Sequence, residues 1–278
     1  MKVRVTVLVE DSARRRGLVA EHGLSLLVDV EADDLSSCIL LDTGSTPDTI
    51  LKNADAMGVD LSRVDAIVIS HGHYDHTGGL VGVLKRIGRR IPVVAHPKAF
   101  DLKLAYRPVL RYMGGPTMRE VEEAGGVLVL AKGPVKLAEG VVTTGEVERS
   151  TSFEGVEEFW TVADGIFVRD EMPDDQSLVI KGDEGVIVLT GCAHSGVVNT
   201  VIHAKSLMGV DRVKAVIGGF HLIGASEGRI RRTVEELRRL NPDLLAPCHC
   251  TGLKAVNAFM EAFGEKCRPP STGDVIEI

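Results

Sequence analysis

Short apolar runs alternate along this chain with longer amphipathic stretches. The clearest run, residues 66–69, reads Ala-Ile-Val-Ile and stops abruptly at a polar loop. A run that is short, β-branched and bounded by polar residues is typical of a buried strand. Residues 48–57 instead place apolar side chains on one face and stop at Gly58, which predicts an amphipathic helix. This alternation predicts an α/β fold.

The second half of the chain repeats this layout. Residues 185–190 form another apolar run, which ends at residues 191–194, Gly-Cys-Ala-His. Because residues 66–76 have the same arrangement, we interpret the chain as a doubled architecture. Two later apolar runs also end at histidines, His221 and His249.

Residues 71–76, which we call the histidine loop, read His-Gly-His-Tyr-Asp-His. Imidazole and carboxylate ligands together suit a divalent transition metal, zinc first, with manganese or iron as alternatives. One tetrahedral ion cannot take four donors and keep an open position, so the crowding predicts two adjacent ions. The alternative is a polar surface loop whose histidines occur together by chance.

Composition and net charge argue against some classes of function. The 278 residues are 44% hydrophobic and 26% charged, as in ordinary globular proteins. A net charge of −7 argues against binding to nucleic acid or to an anionic membrane. We therefore expect a small-molecule partner, and we leave a homo-oligomer open.

The cysteine pattern and the length of the apolar runs indicate the cellular compartment. Five scattered cysteines fit reduced thiols better than a disulfide framework. No apolar run approaches the roughly 20 residues that span a bilayer. Residues 1–9 alternate like a strand and lack a signal peptide's apolar stretch. A soluble, cytoplasmic protein is expected.

Residues 97–120 form a basic segment in this acidic protein. One hypothesis is a cap over the site that admits an anionic substrate with a flat ring, since arginines suit phosphate or carboxylate and aromatic rings stack. Arg107, Arg111 and Tyr106 are its candidate substrate contacts. The alternative is a helix with an ordinary charged outer face.

The histidine loop resembles the HxHxDH signature of the metallo-β-lactamase superfamily, with a strand before it and Thr-Gly-Gly-Leu after it. More narrowly, the chain resembles the branch of 7,8-dihydropterin synthase-like proteins. That likeness rests on Glu-His-Gly-Leu-Ser at residues 21–25 and Thr-Gly-Cys-Ala-His-Ser-Gly at residues 190–196. The resemblance implies one domain over residues 1–278, built as a four-layer αββα sandwich of two pseudo-symmetric halves with metals between the sheets.

The resemblance also implies a set of metal ligands. His71, His73 and His194 would surround one ion, and Asp75, His76 and His249 would surround the other. Family members carry a further histidine before the strand near Gln176, but residues 170–175 here contain none. His194 would take its role, with Cys192 or a water in the remaining position.

Four further residues are candidates near the pocket. Asp42 would support the histidine loop by hydrogen bonds, or would only shape a turn before glycine. His221 would contact substrate or handle a proton, with ligation and a structural role as alternatives. It is a candidate catalytic residue, as is Asp75. Glu21 and His22 would contact substrate according to the narrower resemblance, or would be structural.

These observations predict a dinuclear metal-dependent enzyme. Water bound to zinc has a pKa of about 7, so a metal-bridging hydroxide would serve hydrolysis of an anionic, phosphorylated or pterin-like substrate. The narrower resemblance implies instead a transferase that condenses 7,8-dihydropterin-6-ylmethyl pyrophosphate with ribofuranosyl-aminobenzene 5′-phosphate. A non-catalytic metal-binding protein is an alternative. A di-iron redox protein is disfavoured, because such relatives place a glutamate where His73 stands.

Overall fold

The computed structural model describes residues 1–32, 35–106, 108–155 and 159–278. The strands of the first half are β1 (Lys2–Val9), β2 (Ser25–Ala32), β3 (Leu35–Leu41), β4 (Ala66–Val68), β5 (Ile91–Ala95), β6 (Leu104–Ala105), β7 (Arg111–Tyr112) and β8 (Gly126–Leu130). The later strands are β9 (Lys136–Ala138), β10 (Val141–Thr143), β11 (Phe159–Ala163), β12 (Ile166–Arg169), β13 (Ser177–Gly182), β14 (Gly185–Thr190), β15 (Val213–Gly219), β16 (Leu244–Cys248) and β17 (Val275–Glu277). The helices are α1 (Pro47–Met57), α2 (Tyr74–Thr77), α3 (Leu80–Ile87), α4 (Met118–Glu123), α5 (Val197–Met208), α6 (Glu227–Leu240) and α7 (Leu253–Phe263).

Capping residues determine where the first helices begin and end. The Thr46 side chain accepts a hydrogen bond from the backbone of Thr49 and starts α1, and Gly58 ends it in the left-handed conformation. The helix predicted over residues 48–57 is confirmed. Gly88 adopts a φ of +70° and ends α3 in the same way.

The two large sheets carry the candidate donors at the carboxyl ends of parallel strands. The first sheet has the order β17-β1-β2-β3-β4-β5-β8, and the second has the order β16-β15-β14-β13-β10-β9. Strands β3, β4, β5 and β8 run parallel, as do β14, β15 and β16. The last strand, β17, pairs with β1 and forms one edge of the first sheet.

Three buried apolar clusters define the layers. One lies between the sheets and joins Leu26 and Val68 of the first to Leu189 and Ile217 of the second. The outer face of the first sheet packs against α1 and α3, and that of the second packs against α5, α6 and α7. The four-layer αββα sandwich is therefore confirmed. Among the described residues, no helix combines the length and apolar character that crossing a bilayer requires.

A third, smaller sheet has the order β12-β11-β6-β7, and we call it the cap sheet. Strands β6 and β7 come from the basic segment 97–120, and β11 and β12 form a hairpin that pairs with them. The alternative helix over the basic segment is wrong for most of its length, because prolines and glycines at residues 108 and 114–116 interrupt a helical pattern.

A buried lysine joins the cap sheet to the histidine loop. The Nζ atom of Lys103 lies 2.9 Å from a carboxylate oxygen of Asp170 and 2.7 Å from one of Asp174. The other oxygen of Asp174 accepts a hydrogen bond of 2.9 Å from the backbone N–H of Gly72. Lys103 is only 1% exposed, so this positive charge of the basic segment lies inside the protein and does not belong to an outer charged face.

Replacing this lysine tests its structural role. Lys103→Met should lower the free energy of unfolding by about 3–5 kcal/mol, because two buried carboxylates would lose their cation. Urea denaturation followed by circular dichroism measures the change. Lys98→Met, at an exposed position of the same segment, is the matched control and should change it by less than about 0.5 kcal/mol. Equal effects of the two substitutions would contradict the assignment.

Candidate metal centre

Three histidines converge at one end of the site, and we call them the first donor set. His71 and His73 follow β4, and His194 follows β14 in the opposite sheet. The Nε2 atom of His71 lies 3.1 Å from Nδ1 of His73 and 3.3 Å from Nε2 of His194, and all three residues are buried. Two atoms that bind one tetrahedral zinc ion at about 2.1 Å lie about 3.4 Å apart, so the spacing suits a shared ion.

The second donor set surrounds Asp75. Its Oδ2 atom lies 3.3 Å from Nε2 of His249 and 3.6 Å from Nε2 of His76. Cys192 lies between the two donor sets. Its sulfur is 3.1 Å from Nε2 of His76 in the second set, and it also lies within 4.8 Å of ligand atoms of His71 and His194 in the first. The fold thus brings together all the residues that were predicted as ligands.

Hydrogen bonds behind the rings decide which nitrogen faces the site. Asp42 accepts hydrogen bonds from N and Oγ of Ser70, at 2.7 and 2.6 Å, and from Nδ1 of His76 at 2.7 Å. Since the Ser70 hydroxyl donates to Asp42, it accepts from Nδ1 of His71, 2.9 Å away. Protons on these Nδ1 atoms leave both Nε2 lone pairs available for a metal. Asp42 therefore occupies the supporting position expected of it.

Asp11 gives the same support on the other side, and the sequence did not single it out. Its carboxylate oxygens lie 2.6 Å from Nδ1 of His249 and 2.9 Å from Nδ1 of His22. The available signal was its position just after β1. Strands β1 and β3 are both antiparallel to β2, so their carboxyl ends lie at the same edge of the sheet.

Burial keeps the three histidines of the first donor set in the neutral form that binds metals. It lowers the pKa of His71 and His194 well below the usual value, and it lowers the pKa of His73 to about 3. Burial opposes ionisation of Asp75, but His76 and His249 nevertheless lower the pKa of its carboxyl. Neutral imidazoles and an ionised carboxylate are ligating forms, so these four residues fit divalent ions. His249 and Cys192 would each give up a proton on binding, because Cys250, Asp11 and Asp75 raise the pKa of His249 despite its burial, and burial raises the pKa of the Cys192 thiol.

His221 stands beside the first donor set. Its ring centroid is 4.1 Å from that of His194, and its buried Nδ1 atom has no hydrogen-bond partner among the described residues. Asp42, His221 and His249 all have positive φ angles, of 59°, 41° and 49°. Non-glycine residues in this region are strained, and such strain concentrates at functional sites. The expected place of His221 near the pocket agrees with this geometry.

The inner face of the cap sheet covers the first donor set with a residue that the sequence did not reveal. The Phe159 ring centroid lies 4.6 Å from that of His73 and 5.1 Å from that of His194. Ala105 pairs with both Phe159 and Arg111, so Arg111 lies on this same face. An aromatic and a cationic residue therefore share the face of the cap sheet that is turned towards the first donor set.

The structure shows other neighbours for two of the predicted substrate contacts. Tyr106 lies on the opposite face of the cap sheet, where its ring is 6.3 Å from those of Trp160 and Phe167. Alternation along β6 turns it away from Phe159. Glu21 accepts hydrogen bonds from the backbone of Ser45 and Thr46 and from the hydroxyl of Thr49, so its carboxylate is committed to the start of α1. Arg107 lies outside the described residues.

Comparisons with known proteins agree with this architecture. The sequence model of the metallo-β-lactamase superfamily matches residues 20–249 of this chain. The chain is similar to the 7,8-dihydropterin-6-methyl-4-(β-D-ribofuranosyl)-aminobenzene-5′-phosphate synthase of Methanocaldococcus jannaschii, with 36% identity over 99% of this chain and 96% of that one. An uncharacterised protein of the same organism is 34% identical over 92% of this chain and 94% of its own length.

A solved structure is also similar along its whole length. It is the crystal structure of Tm1679, described as a metal-dependent hydrolase of the β-lactamase superfamily. It shares 32% sequence identity with this chain, covers 99% of each chain and has a TM-score of 0.85. The expectation of an enzyme, either a metal-dependent hydrolase or a related synthase, is confirmed at the level of these relatives.

The low pKa of His73 predicts how the metal-free protein responds to acid. The unfolded chain takes up a proton on this histidine near pH 6.5 and the folded chain only near pH 3, so folding stability falls as pH drops between these values. Between pH 7 and 4.5 the wild type should lose about 2 kcal/mol more than His73→Gln. Urea denaturation of both metal-free proteins measures the difference, and parallel pH profiles would refute the prediction.

Proposed function

This chain belongs to the metallo-β-lactamase superfamily, and on that basis we propose that it is a metal-dependent synthase that joins a dihydropterin to a ribofuranosyl-aminobenzene phosphate. The observation that carries the proposal is the whole-length likeness to the synthase of M. jannaschii. Such substrates combine flat rings with anionic phosphates. Phe159 and Arg111 on the inner face of the cap sheet suit both features.

We assign two divalent metal ions to the centre. The first would bind to His71, His73 and His194, and the second to Asp75, His76 and His249. Cys192 lies within reach of both positions. Nitrogen, oxygen and sulfur donors at tetrahedral spacing favour zinc, with manganese and iron as alternatives.

Bound ions would act as Lewis acids on the anionic oxygens of the substrate and would lower the pKa of water. The remaining work falls to the chain itself. Phe159 would stack on the pterin ring, and Arg111 would bind a phosphate, so that the reacting atoms are held in position. The buried surroundings of the histidines exclude bulk water from the reacting bond.

Bond changes in the synthase reaction are simple to state. The arylamine nitrogen forms a bond to the pterin methylene carbon, and the bond from that carbon to the pyrophosphate oxygen breaks. The amine then gives up one proton. We assign Nδ1 of His221 to take this proton, because the atom is buried, lacks a partner among the described residues and lies beside the first donor set.

Hydrolysis is the second candidate function. It is favoured by the likeness to Tm1679, which is described as a hydrolase. In this reaction water would take the place of the arylamine and would attack a phosphorylated or other anionic substrate. The same donor sets and the same anion-binding face would serve it.

Metal content tests the ligand assignment. His194→Ala should lower the bound metal about as much as His71→Ala does, because both remove one of three ligands from the same ion. Elemental analysis of purified, metal-loaded protein gives the stoichiometry. His203→Ala, on the outer helix α5, is the control and should leave it unchanged. Unchanged metal content in His194→Ala would remove this residue from the first donor set.

A product assay tests the function. The metal-loaded protein is incubated with dihydropterin-6-ylmethyl pyrophosphate, with and without ribofuranosyl-aminobenzene 5′-phosphate, and the products are separated by chromatography. A coupled product with equimolar pyrophosphate, formed only when both substrates are present, supports the synthase. Release of pyrophosphate without the arylamine supports the hydrolase.

Two variants separate the assigned roles in that assay. Arg111→Ala should raise KM for the phosphorylated substrates by about 10-fold or more while kcat changes less. Arg119→Ala, an exposed arginine paired with Glu123, is its control. His221→Gln should lower kcat by about 100-fold with little change in KM, because proton transfer contributes at this scale. Unchanged kcat would exclude His221 as the proton acceptor.

A further inference from the structure

Two histidines share one carboxylate at the open side of the second donor set. Asp11 holds Nδ1 of both His22 and His249. Each ring then directs its Nε2 atom towards the same oxygen, Oδ2 of Asp75, at 3.5 Å from His22 and 3.3 Å from His249. His22 thus has the same hydrogen-bond partner and the same target atom as a residue assigned above as a ligand.

The spacing around Asp75 extends to a third ring. Nε2 of His76 lies 3.6 Å from the same oxygen. Ligand atoms that share one tetrahedral zinc ion lie about 3.4 Å apart, and all three nitrogens are close to this distance from Oδ2. We infer that His22 is a fourth protein ligand of the second ion, supplied by the loop after β1 and not by the histidine loop. The inference rests on the metal centre proposed above.

Backbone contacts hold His22 against Asp75. The N–H of Leu24 donates to the carbonyl oxygen of Asp75 at 3.2 Å, and the Ser45 hydroxyl donates to the carbonyl oxygen of His22. A Cβ atom on Gly23 would lie 2.6 Å from the Asp75 carbonyl, so only glycine permits this approach. The backbone at His22 and the two residues after it is therefore held against Asp75 and Ser45.

Exposure distinguishes the two histidines. The His22 side chain is 54% exposed, whereas that of His249 is fully buried. His22 would therefore close the second coordination shell on its solvent side. With Asp75, His76 and His249 it makes a set of three nitrogens and one oxygen around the second ion. The open position for a substrate oxygen, and with it the Lewis-acid role proposed above, would then belong to the first ion, which has three histidines.

Cobalt titration of the full chain tests this inference without any substrate. The protein is loaded with Co²⁺, the visible absorption of the ion reports the number and type of its ligands, and competition with a chelator gives the affinity of each equivalent. In His22→Ala and His22→Phe we expect the second equivalent to bind at least about 10-fold more weakly, with altered visible bands and an unchanged first equivalent. His203→Ala, a histidine on α5, should behave as the wild type.

The outcomes separate this inference from the proposals before it. Wild-type affinity and bands in both His22 variants would overturn it and leave the rest of the centre intact. Failure of the wild type to bind cobalt would overturn the metal centre and this inference together. Loss of the second equivalent in the variants, in a protein that forms no coupled product, would support the ligand and reject the synthase. Circular dichroism confirms that each variant is folded.

Discussion

The candidate metal centre depends on oxygen atoms that accept hydrogen bonds from the Nδ1 atoms of His71, His76 and His249. These hydrogen bonds fix the tautomer of each ring and turn its Nε2 lone pair towards the site. Asp42 serves His76 directly and His71 through the hydroxyl of Ser70, and Asp11 serves His249. Without these acceptors the imidazole proton could occupy Nε2 instead of Nδ1. The ring would then direct an N–H group at the site, with no lone pair available for a metal. Two carboxylates, each at the end of a strand of the first sheet, therefore prepare the centre from opposite sides.

Close approach of the two sheets brings these groups into reach of the second half of the chain. A Cβ atom at Gly191 would lie 2.0 Å from the Ser70 hydroxyl, so the end of β14 can meet the end of β4 only through glycine. Gln176 bonds across the same gap, from its backbone N–H to Ser70 and from its side-chain amide to Ile69, both at 2.9 Å. Cys192 and His194 come one and three residues after Gly191, so this contact brings them to the histidine loop.

The cap sheet carries the two residues that we propose as substrate contacts, Phe159 and Arg111. Strands β6 and β7 come from the basic segment, but the cap sheet also requires the hairpin of β11 and β12, more than forty residues later in the chain. Lys103 anchors it through Asp174 to the backbone of Gly72. The aromatic residue over the histidines is consequently Phe159, and the basic segment contributes Arg111 on the same face of the cap sheet. The buried Lys103 and its two carboxylates thus join this face to the histidine loop.

Local patterns in the sequence were sufficient for most strands, for α1 and for the donors of the histidine loop. Apolar periodicity and capping act over a few neighbouring residues, and a loop rich in histidine directly after a buried strand strongly indicates a metal site. The later ligands, Cys192, His194 and His249, were found because each also ends an apolar run. Only the tertiary structure could identify Asp11 and Phe159 and reassign Tyr106 and Glu21. Their roles depend on strand order, on which face of a strand a side chain occupies and on hydrogen bonds between distant segments. None of these leaves a periodic signal, because they arise only when separate parts of the chain pack together.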